Sequence, residues 1–321
     1  MKTPRKILIT GACGYIGAVL IRLLSTNMDG IILRMLDNLS SGSYNALVDL
    51  PMEGHYQFIE ADILDPTQLK YSLRDVDAVI HLAALVKTPL SFDNPGSLDQ
   101  VNYWGTAHLV NACIEQNIDH FIYVSSTSVY GPGASFREED DPKPLGSYAN
   151  SKLSAENYIK KRSNDLDFTI LRLGTVYGPS SVLRVESFVN RMAFLAGTKK
   201  KVTVYGDGEQ ERPVVYIDDC TSLIQQVLEN PSDYKNEVYN VAEGNYSVNE
   251  VVSTIKKLRG DLKIHYTDQD IRTHYSFSVD TKKINQIGWK ADYDLHLGIK
   301  KLLNRFKGFE GLRSGQIEDF H

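Results

Sequence analysis

Cysteine is scarce in this sequence. Cys13, Cys113 and Cys220 are odd in number and far apart, so they show no metal-ligand spacing and suit a reducing cytoplasm. The eight histidines are scattered as well, and His81, at the end of an apolar run, reads as structural rather than as a ligand. No metal is expected. There is no uninterrupted apolar stretch long enough to span a bilayer, and Met-Lys-Thr-Pro-Arg-Lys passes straight into the first strand with no apolar signal segment. A cytoplasmic protein with no membrane partner is expected. Neither charge dominates: the formal net charge is −5, which argues against non-specific nucleic-acid binding. The one basic run, Lys199-Lys200-Lys201, reads as a solvated turn. Internal repeats and low-complexity segments are missing too.

What is present is an ordinary globular composition, 42% hydrophobic and 23% charged over 321 residues, enough for a large core and two lobes. The chain is organised around Ile7-Leu8-Ile9-Thr10-Gly11-Ala12-Cys13-Gly14-Tyr15-Ile16-Gly17. An apolar run ends in a glycine-rich turn, and an apolar-periodic segment follows. That order reads as strand, phosphate-binding turn, helix. Gly11 permits a tight turn, Gly14 lets backbone approach a pyrophosphate, and Gly17 lets the helix pack closely on the strand. The spacing is GxxGxxG, and alone it fits a plain strand-to-helix connection equally well. A second apolar run, Ile31 to Leu36, ends in Asp37, twenty residues beyond Gly17. A carboxylate there can accept the adenosine ribose hydroxyls and would repel a 2′-phosphate. The expected cofactor is therefore NAD.

Further strands are expected at Tyr56–Glu60, Asp77–Ala84, Phe121–Ser126 and Phe168–Leu173, with a long helix over Val101–Gln116 between the second and third of these. Strands alternating with helices predict an α/β fold with a doubly wound parallel (Rossmann) sheet, whose ligands bind beyond the carboxyl ends of the strands. Beyond Leu173 the alternation becomes irregular. The expected division is a NAD-binding domain over 1–173, with 207–240 returning to it, and a smaller C-terminal substrate lobe from 174–206 and 241–321. The tail after Phe306 is expected to be loosely held.

Tyr148 and Lys152 stand four apart at the start of an expected helix, Ser151 to Lys161, which puts both side chains on one face. A tyrosine with a pKa near ~10 is a poor base at neutral pH, but a neighbouring ammonium favours the phenolate. That phenolate can take a proton from a substrate hydroxyl as hydride leaves the carbon. Ser125 and Ser126 close the fifth strand, and Ser126 is the candidate to hydrogen-bond the reacting oxygen.

Taken together, these pieces resemble an extended short-chain dehydrogenase/reductase of the NAD-dependent epimerase/dehydratase type. The matching stretches run from residue 7 to about 290. They include Thr10 to Gly17, Asp37-Asn38, Ala61-Asp62-Ile63, His81-Leu82-Ala83-Ala84, Ser125 to Gly131, Tyr148 with Lys152, Leu171-Arg172, Tyr177-Gly178-Pro179, Tyr205 to Gly208, Arg212 and Tyr216 to Asp219. The resemblance implies Tyr148 as base, Lys152 as ribose anchor and pKa modulator, and Ser126 as third member of a triad. It implies Gly11, Gly14, Tyr15, Ile16, Gly17, Asp37, Asn38, Asp62, Ile63, Leu82, Ala83 and Ala84 at the cofactor, with Asp62-Ile63 near adenine. It implies Thr175, Tyr205, Arg212 and Ser126 at a nucleotide-diphosphate sugar, Arg212 on a phosphate, and a homodimer pairing the helices near Val101–Gln116 and Ser151–Lys161.

Two positions depart from relatives. Sugar 4,6-dehydratases carry an Asp-Glu pair after the active-site hydroxyl residue, where this chain has Thr127 and Ser128. UDP-galactose 4-epimerases typically have asparagine where Thr175 stands. The expected activity is an NAD-dependent nucleotide-sugar epimerase acting at C4 through a transient 4-keto sugar. A ketoreductase or dehydrogenase with the same triad is the alternative, and a non-catalytic NAD-binding regulator is a third reading.

Overall fold

The computed structural model describes residues 5–86, 95–268, 275–306 and 308. The tail after Phe306 lies, apart from Gly308, outside the described residues. Six strands come first: β1 (Lys6–Thr10), β2 (Ile32–Asp37), β3 (His55–Glu60), β4 (Ala78–His81), β5 (His120–Ser126) and β6 (Phe168–Leu173). Then follow β7 (Thr175–Tyr177), β8 (Val202–Tyr205), β9 (Glu211–Tyr216), β10 (Glu237–Val241), β11 (Gly244–Ser247) and β12 (Ile264–Thr267).

Seven of these form one sheet in the order β10-β6-β5-β4-β1-β2-β3, parallel at every pairing. A parallel sheet has helices on both faces, so its strands are apolar almost throughout. All six residues of β6 are buried. β3 is mostly exposed because it is an edge. Alternation divides β1 between two cores: Ile7 and Ile9 enter one, Leu8 the other. Helices Tyr15–Asn27 and Ile217–Glu229 cover the first face through Leu20, Leu24, Leu223 and Val227. Helices Pro66–Ser72, Thr106–Glu115 and Ser147–Lys160 cover the second through Leu69, Leu109, Cys113 and Ile159. This is the doubly wound, Rossmann-like arrangement that the alternation of strands and helices predicts.

The order reverses at β1, which pairs with both β2 and β4; such switch points are where doubly wound sheets take their ligands. The rest of the chain builds two small sheets, β11-β9-β7 and β12-β8. Helices Phe188–Gly197, Val248–Leu258 and Leu295–Asn304 pack on one another beside them. Among the described residues no helix is long and apolar enough to cross a membrane, and no group of three or more His, Cys, Asp or Glu could hold a metal.

Three boundaries differ from the sequence reading. The helix expected from Ser151 begins at Ser147, because Gly146, at φ 88°, turns the chain into it; Tyr148 therefore lies in its first turn. The helix expected over Val101–Gln116 opens with a wide π-helical turn, Gln100–Gly105, before Thr106–Glu115. Asn102 in that turn donates to the Leu85 carbonyl at 3.1 Å and to Ser151 Oγ at 3.0 Å, and accepts from Leu85 N at 2.8 Å. The fourth strand stops at His81 rather than Ala84, since Leu82–Ala84 leave the sheet across the glycine turn.

Candidate active site

The glycine turn lies at the carboxyl end of β1. Gly11 has φ +67°, and a Cβ there would come within 2.6 Å of the Ala83 nitrogen. At Gly17 a Cβ would come within 2.5 Å of the Ala12 carbonyl oxygen. Only glycine fits either place. Gly14 caps helix Tyr15–Asn27 with no side-chain hydrogen bond, so no side chain competes for the first N–H groups at that end. A glycine cradle opening onto an uncapped helix end fits a dinucleotide pyrophosphate.

Asp37 ends β2 and is nearly buried. Its Oδ2 accepts from Cys13 N at 2.9 Å and its Oδ1 from Leu39 N at 2.8 Å. Asn38 Nδ2 donates to Asp62 Oδ2 at 2.9 Å, and Asp62 Oδ1 accepts from Leu64 N at 2.8 Å. These bonds tie the ends of β2 and β3 into one rim. Ile63 points inward, against Gly105, which leaves its main chain to the rim. Tyr15 turns toward the later part of the chain: its hydroxyl donates to the Gly178 carbonyl at 2.7 Å and accepts from Asn190 Nδ2 at 3.2 Å. Ile16 is half-buried against the first core. Leu82 N donates to the Thr10 carbonyl at 3.0 Å, which carries Leu82, Ala83 and Ala84 past Gly11.

Ser126, Tyr148 and Lys152 are brought together beyond β5. Ser126 lies close enough to the Tyr148 hydroxyl to lower its pKa, and its own Oγ accepts from Ser128 N at 3.2 Å and from Ser128 Oγ at 2.9 Å. Burial raises the Tyr148 pKa, while Arg184 and Ser126 pull it back down. Lys152 is buried; its Nζ donates to the Val124 carbonyl at 2.7 Å and lies 4.3 Å from the Tyr123 ring centre. Burial draws its pKa down to about 7, against the pull of Glu156. His81 sits behind, with Nδ1 2.6 Å from Thr10 Oγ1 and Nε2 2.9 Å from Thr106 Oγ1. Desolvation lowers it to about 3, so it is neutral, with both nitrogens engaged.

The remaining candidates lie in the small sheets. Thr175 opens β7, two residues beyond Leu173, which pairs in register with Ser126. Arg212 is on β9, next to β7, with its guanidinium 4.6 Å from the Tyr275 ring and 4.9 Å from the Phe277 ring. Burial lowers its pKa to about 10, so it is cationic at neutral pH. Tyr205 ends β8, in the other small sheet, ahead of a turn with positive φ at Gly206 and Gly208. The sequence reading missed Arg184 and Asn102. Neither stands in a local pattern; an asparagine inside a helical stretch was the one available signal for Asn102.

The profile of the NAD dependent epimerase/dehydratase family matches residues 7–242. A protein of Methanocaldococcus jannaschii, provisionally named a UDP-glucose 4-epimerase, is 32% identical, with 94% of this chain and 98% of that protein covered. The mouse dTDP-D-glucose 4,6-dehydratase is 28% identical, with 94% of this chain and 89% of that one covered. The Bacillus cereus UDP-glucuronic acid 4-epimerase, solved with UDP-glucuronic acid and NAD, superimposes with a TM-score of 0.84 at 29% identity, covering 94% of this chain and 99% of that one. With the glycine cradle, Asp37 and the Ser126–Tyr148–Lys152 cluster in place, this chain belongs to the NAD-dependent epimerase/dehydratase family of extended short-chain dehydrogenase/reductases, enzymes of nucleotide sugars whose cofactor is NAD.

Proposed function

We propose that the chain is a nucleotide-sugar epimerase acting at C4. One observation supports this over 4,6-dehydration, the activity in the name of the mouse relative. Elimination needs an acid and a base beside the sugar. At the two positions after Ser126, the Thr127 hydroxyl turns away to donate to the Leu173 carbonyl at 3.2 Å, and the Ser128 hydroxyl is spent on Ser126. Neither can serve.

In this reading Gly11, Gly14 and Gly17 cradle the pyrophosphate of NAD, Asp37 accepts its ribose hydroxyls, and Asp62 with the Ile63 main chain borders adenine. NAD supplies the hydride acceptor at C4 of the sugar and returns the hydride. Tyr148 takes the proton from the C4 hydroxyl while Ser126 steadies that oxygen. The Lys152 ammonium stabilises the phenolate. Arg212 grips the diphosphate so that the flat 4-keto sugar can turn and present its other face. Small groups at Gly174 and Thr175 suit that turning. The substrate is a UDP-sugar of the kind bound by the Bacillus cereus enzyme, and the protein is a cytoplasmic homodimer with the lobe division given above.

The test is incubation with UDP-glucose and UDP-glucuronic acid deuterated at C4, without added nicotinamide. The 4-epimer should form with its label retained. Stoichiometric NADH release would instead make the enzyme a dehydrogenase, and a 4-keto-6-deoxy product would make it a dehydratase.

A further inference from the structure

Tyr148, Lys152 and Glu156 follow one another at intervals of four on helix Ser147–Lys160, so they share one face. The third has no part in the chemistry above. Glu156 is fully buried, where a carboxylate must be paired and hydrogen-bonded to persist. Arg172 of β6 meets it as a fork: Nη2 lies 2.7 Å from Oε2, and Nε lies 3.1 Å from both oxygens. Ser125 of β5, next to Ser126, donates to Oε1 at 2.5 Å. Lys160 Nζ stands 3.6 Å from Oε2. Beyond Arg172, Nη1 donates to the Tyr130 hydroxyl at 2.7 Å, and that hydroxyl donates to Asn240 Oδ1 of β10 at 2.8 Å. One carboxylate thus fastens the helix carrying Tyr148 and Lys152 to the end of β5, to β6 and, through Tyr130, to β10.

A buried ion pair adds little net stability over an apolar pair of the same shape. Its placement one turn beyond Lys152 points to another use. We propose that Glu156 is a positioning residue of the reaction, holding the helix in register on β5 so that Tyr148 meets Ser126, and setting a carboxylate one helical turn from the buried Lys152 ammonium. The groups facing Lys152 are few. From β4 there is neutral His81, from β5 the Tyr123 ring and the Val124 carbonyl, and from its own helix Tyr148 and Glu156. Arg172 of β6 and Lys160 lie on the far side of the carboxylate. Glu156 is the one acid in that set, and its field opposes the burial that strips Lys152 of its proton.

The proposal rests on the reading that Tyr148 and Lys152 carry the reaction; the electrostatic role is tested without any sugar, and the register role on whichever nucleotide sugar the wild type turns over. Lysine labelled with ¹³C at Cε, in the NAD-loaded enzyme without substrate, reports the Lys152 titration by NMR; loss of the signal in Lys152→Met assigns it. In Glu156→Gln the midpoint should fall by about one pH unit or more, as for removal of a close opposite charge. An unchanged midpoint overturns the electrostatic role. If that variant does not fold, Glu156→Asp keeps the charge one methylene further off, and its midpoint should fall by less; no fall overturns the same role. Ser125→Ala leaves the ion pair and cuts only the clamp on β5. It should lower kcat severalfold with KM unchanged in protein that is still folded at the assay temperature, and an unchanged kcat overturns the register role. Absence of turnover by the wild type on every nucleotide sugar tried would sink the epimerase reading, while the titration still decides the role of Glu156.

Discussion

The Lys152 ammonium lies 4.3 Å from the centre of the Tyr123 ring, with a 2.7 Å hydrogen bond to the next residue's carbonyl. A ring face and one carbonyl replace the water an ammonium would otherwise hold. That exchange is incomplete, and burial brings the pKa of Lys152 from 10.5 down to about 7. The charge is held one helical turn from Tyr148, at a cost to the fold.

That cost predicts a trade between stability and activity. The folded pKa is about 7 and the unfolded one 10.5, so between those values the unfolded chain binds more protons. Stability from this group therefore rises as pH climbs from 7 to 10.5. Lys152→Met, which deletes the charge, should melt higher than the wild type at pH 7 in the absence of NAD, by on the order of a few degrees. The gap should close by pH 10.5, while turnover is lost at every pH. Thermal unfolding across this range measures it. A Met variant that melts lower at pH 7 would show that the carbonyl and ring contacts outweigh the burial cost.

Asp37 is expected to set the cofactor. It receives hydrogen bonds from Cys13 N and Leu39 N, which hold its carboxylate at the end of β2 with lone pairs to spare for ribose hydroxyls. Asp37→Ala should weaken NAD binding on the order of 10–100-fold, the worth of one or two hydrogen bonds to a charged acceptor, and narrow the preference for NAD over NADP. Calorimetry on cofactor-stripped protein reads both affinities. Tighter binding of NADP than NAD by the wild type would reject the assignment.

What was legible in the sequence is what is local in it. The glycine turn, the carboxylate at the end of β2 and the four-residue step from Tyr148 to Lys152 are fixed by spacing within one or two elements, and the apolar runs mark the sheet. What escaped depends on backbone conformation or on residues far apart. The helix starts at Ser147 because Gly146 takes a positive φ, which side-chain periodicity does not register. The wide turn at Gln100–Gly105 accompanies bonds from Asn102 to Leu85 and Ser151, 17 and 49 residues away. Arg184 acts on Tyr148 from beyond β7, where the alternation of strands and helices has already broken down.

Dimerisation is expected through helices Thr106–Glu115 and Ser147–Lys160. Trp104, just before the first of these, is 50% exposed, and Tyr103 lies 5.0 Å from it and 6.2 Å from Tyr158 on the second. An exposed tryptophan among tyrosines suits a self-complementary two-fold contact. Light scattering at micromolar concentration should give a dimer, and Trp104→Glu a monomer. A monomeric wild type would reject the interface.

Tyr148→Phe should abolish turnover while leaving NAD bound. The substitution removes one oxygen and keeps the ring, so the packing around the first turn of the helix should hold. The hydroxyl is the group that Arg184 and Ser126 both bias toward its ionised form, against the burial that raises its pKa. Without it, Ser126 keeps its bonds to Ser128 but lacks any path for passing a proton to the helix. Loss of a positioned general base costs on the order of 10²–10⁴ in rate, and here no acid or base stands at Thr127 or Ser128 to replace it. Rate and bound NAD should be measured on the same preparation, since a loss of both would indicate a disturbed cofactor site. A Phe variant with near-normal turnover and full NAD content would remove Tyr148 from the mechanism and leave Ser126, or a water held by it, as the base.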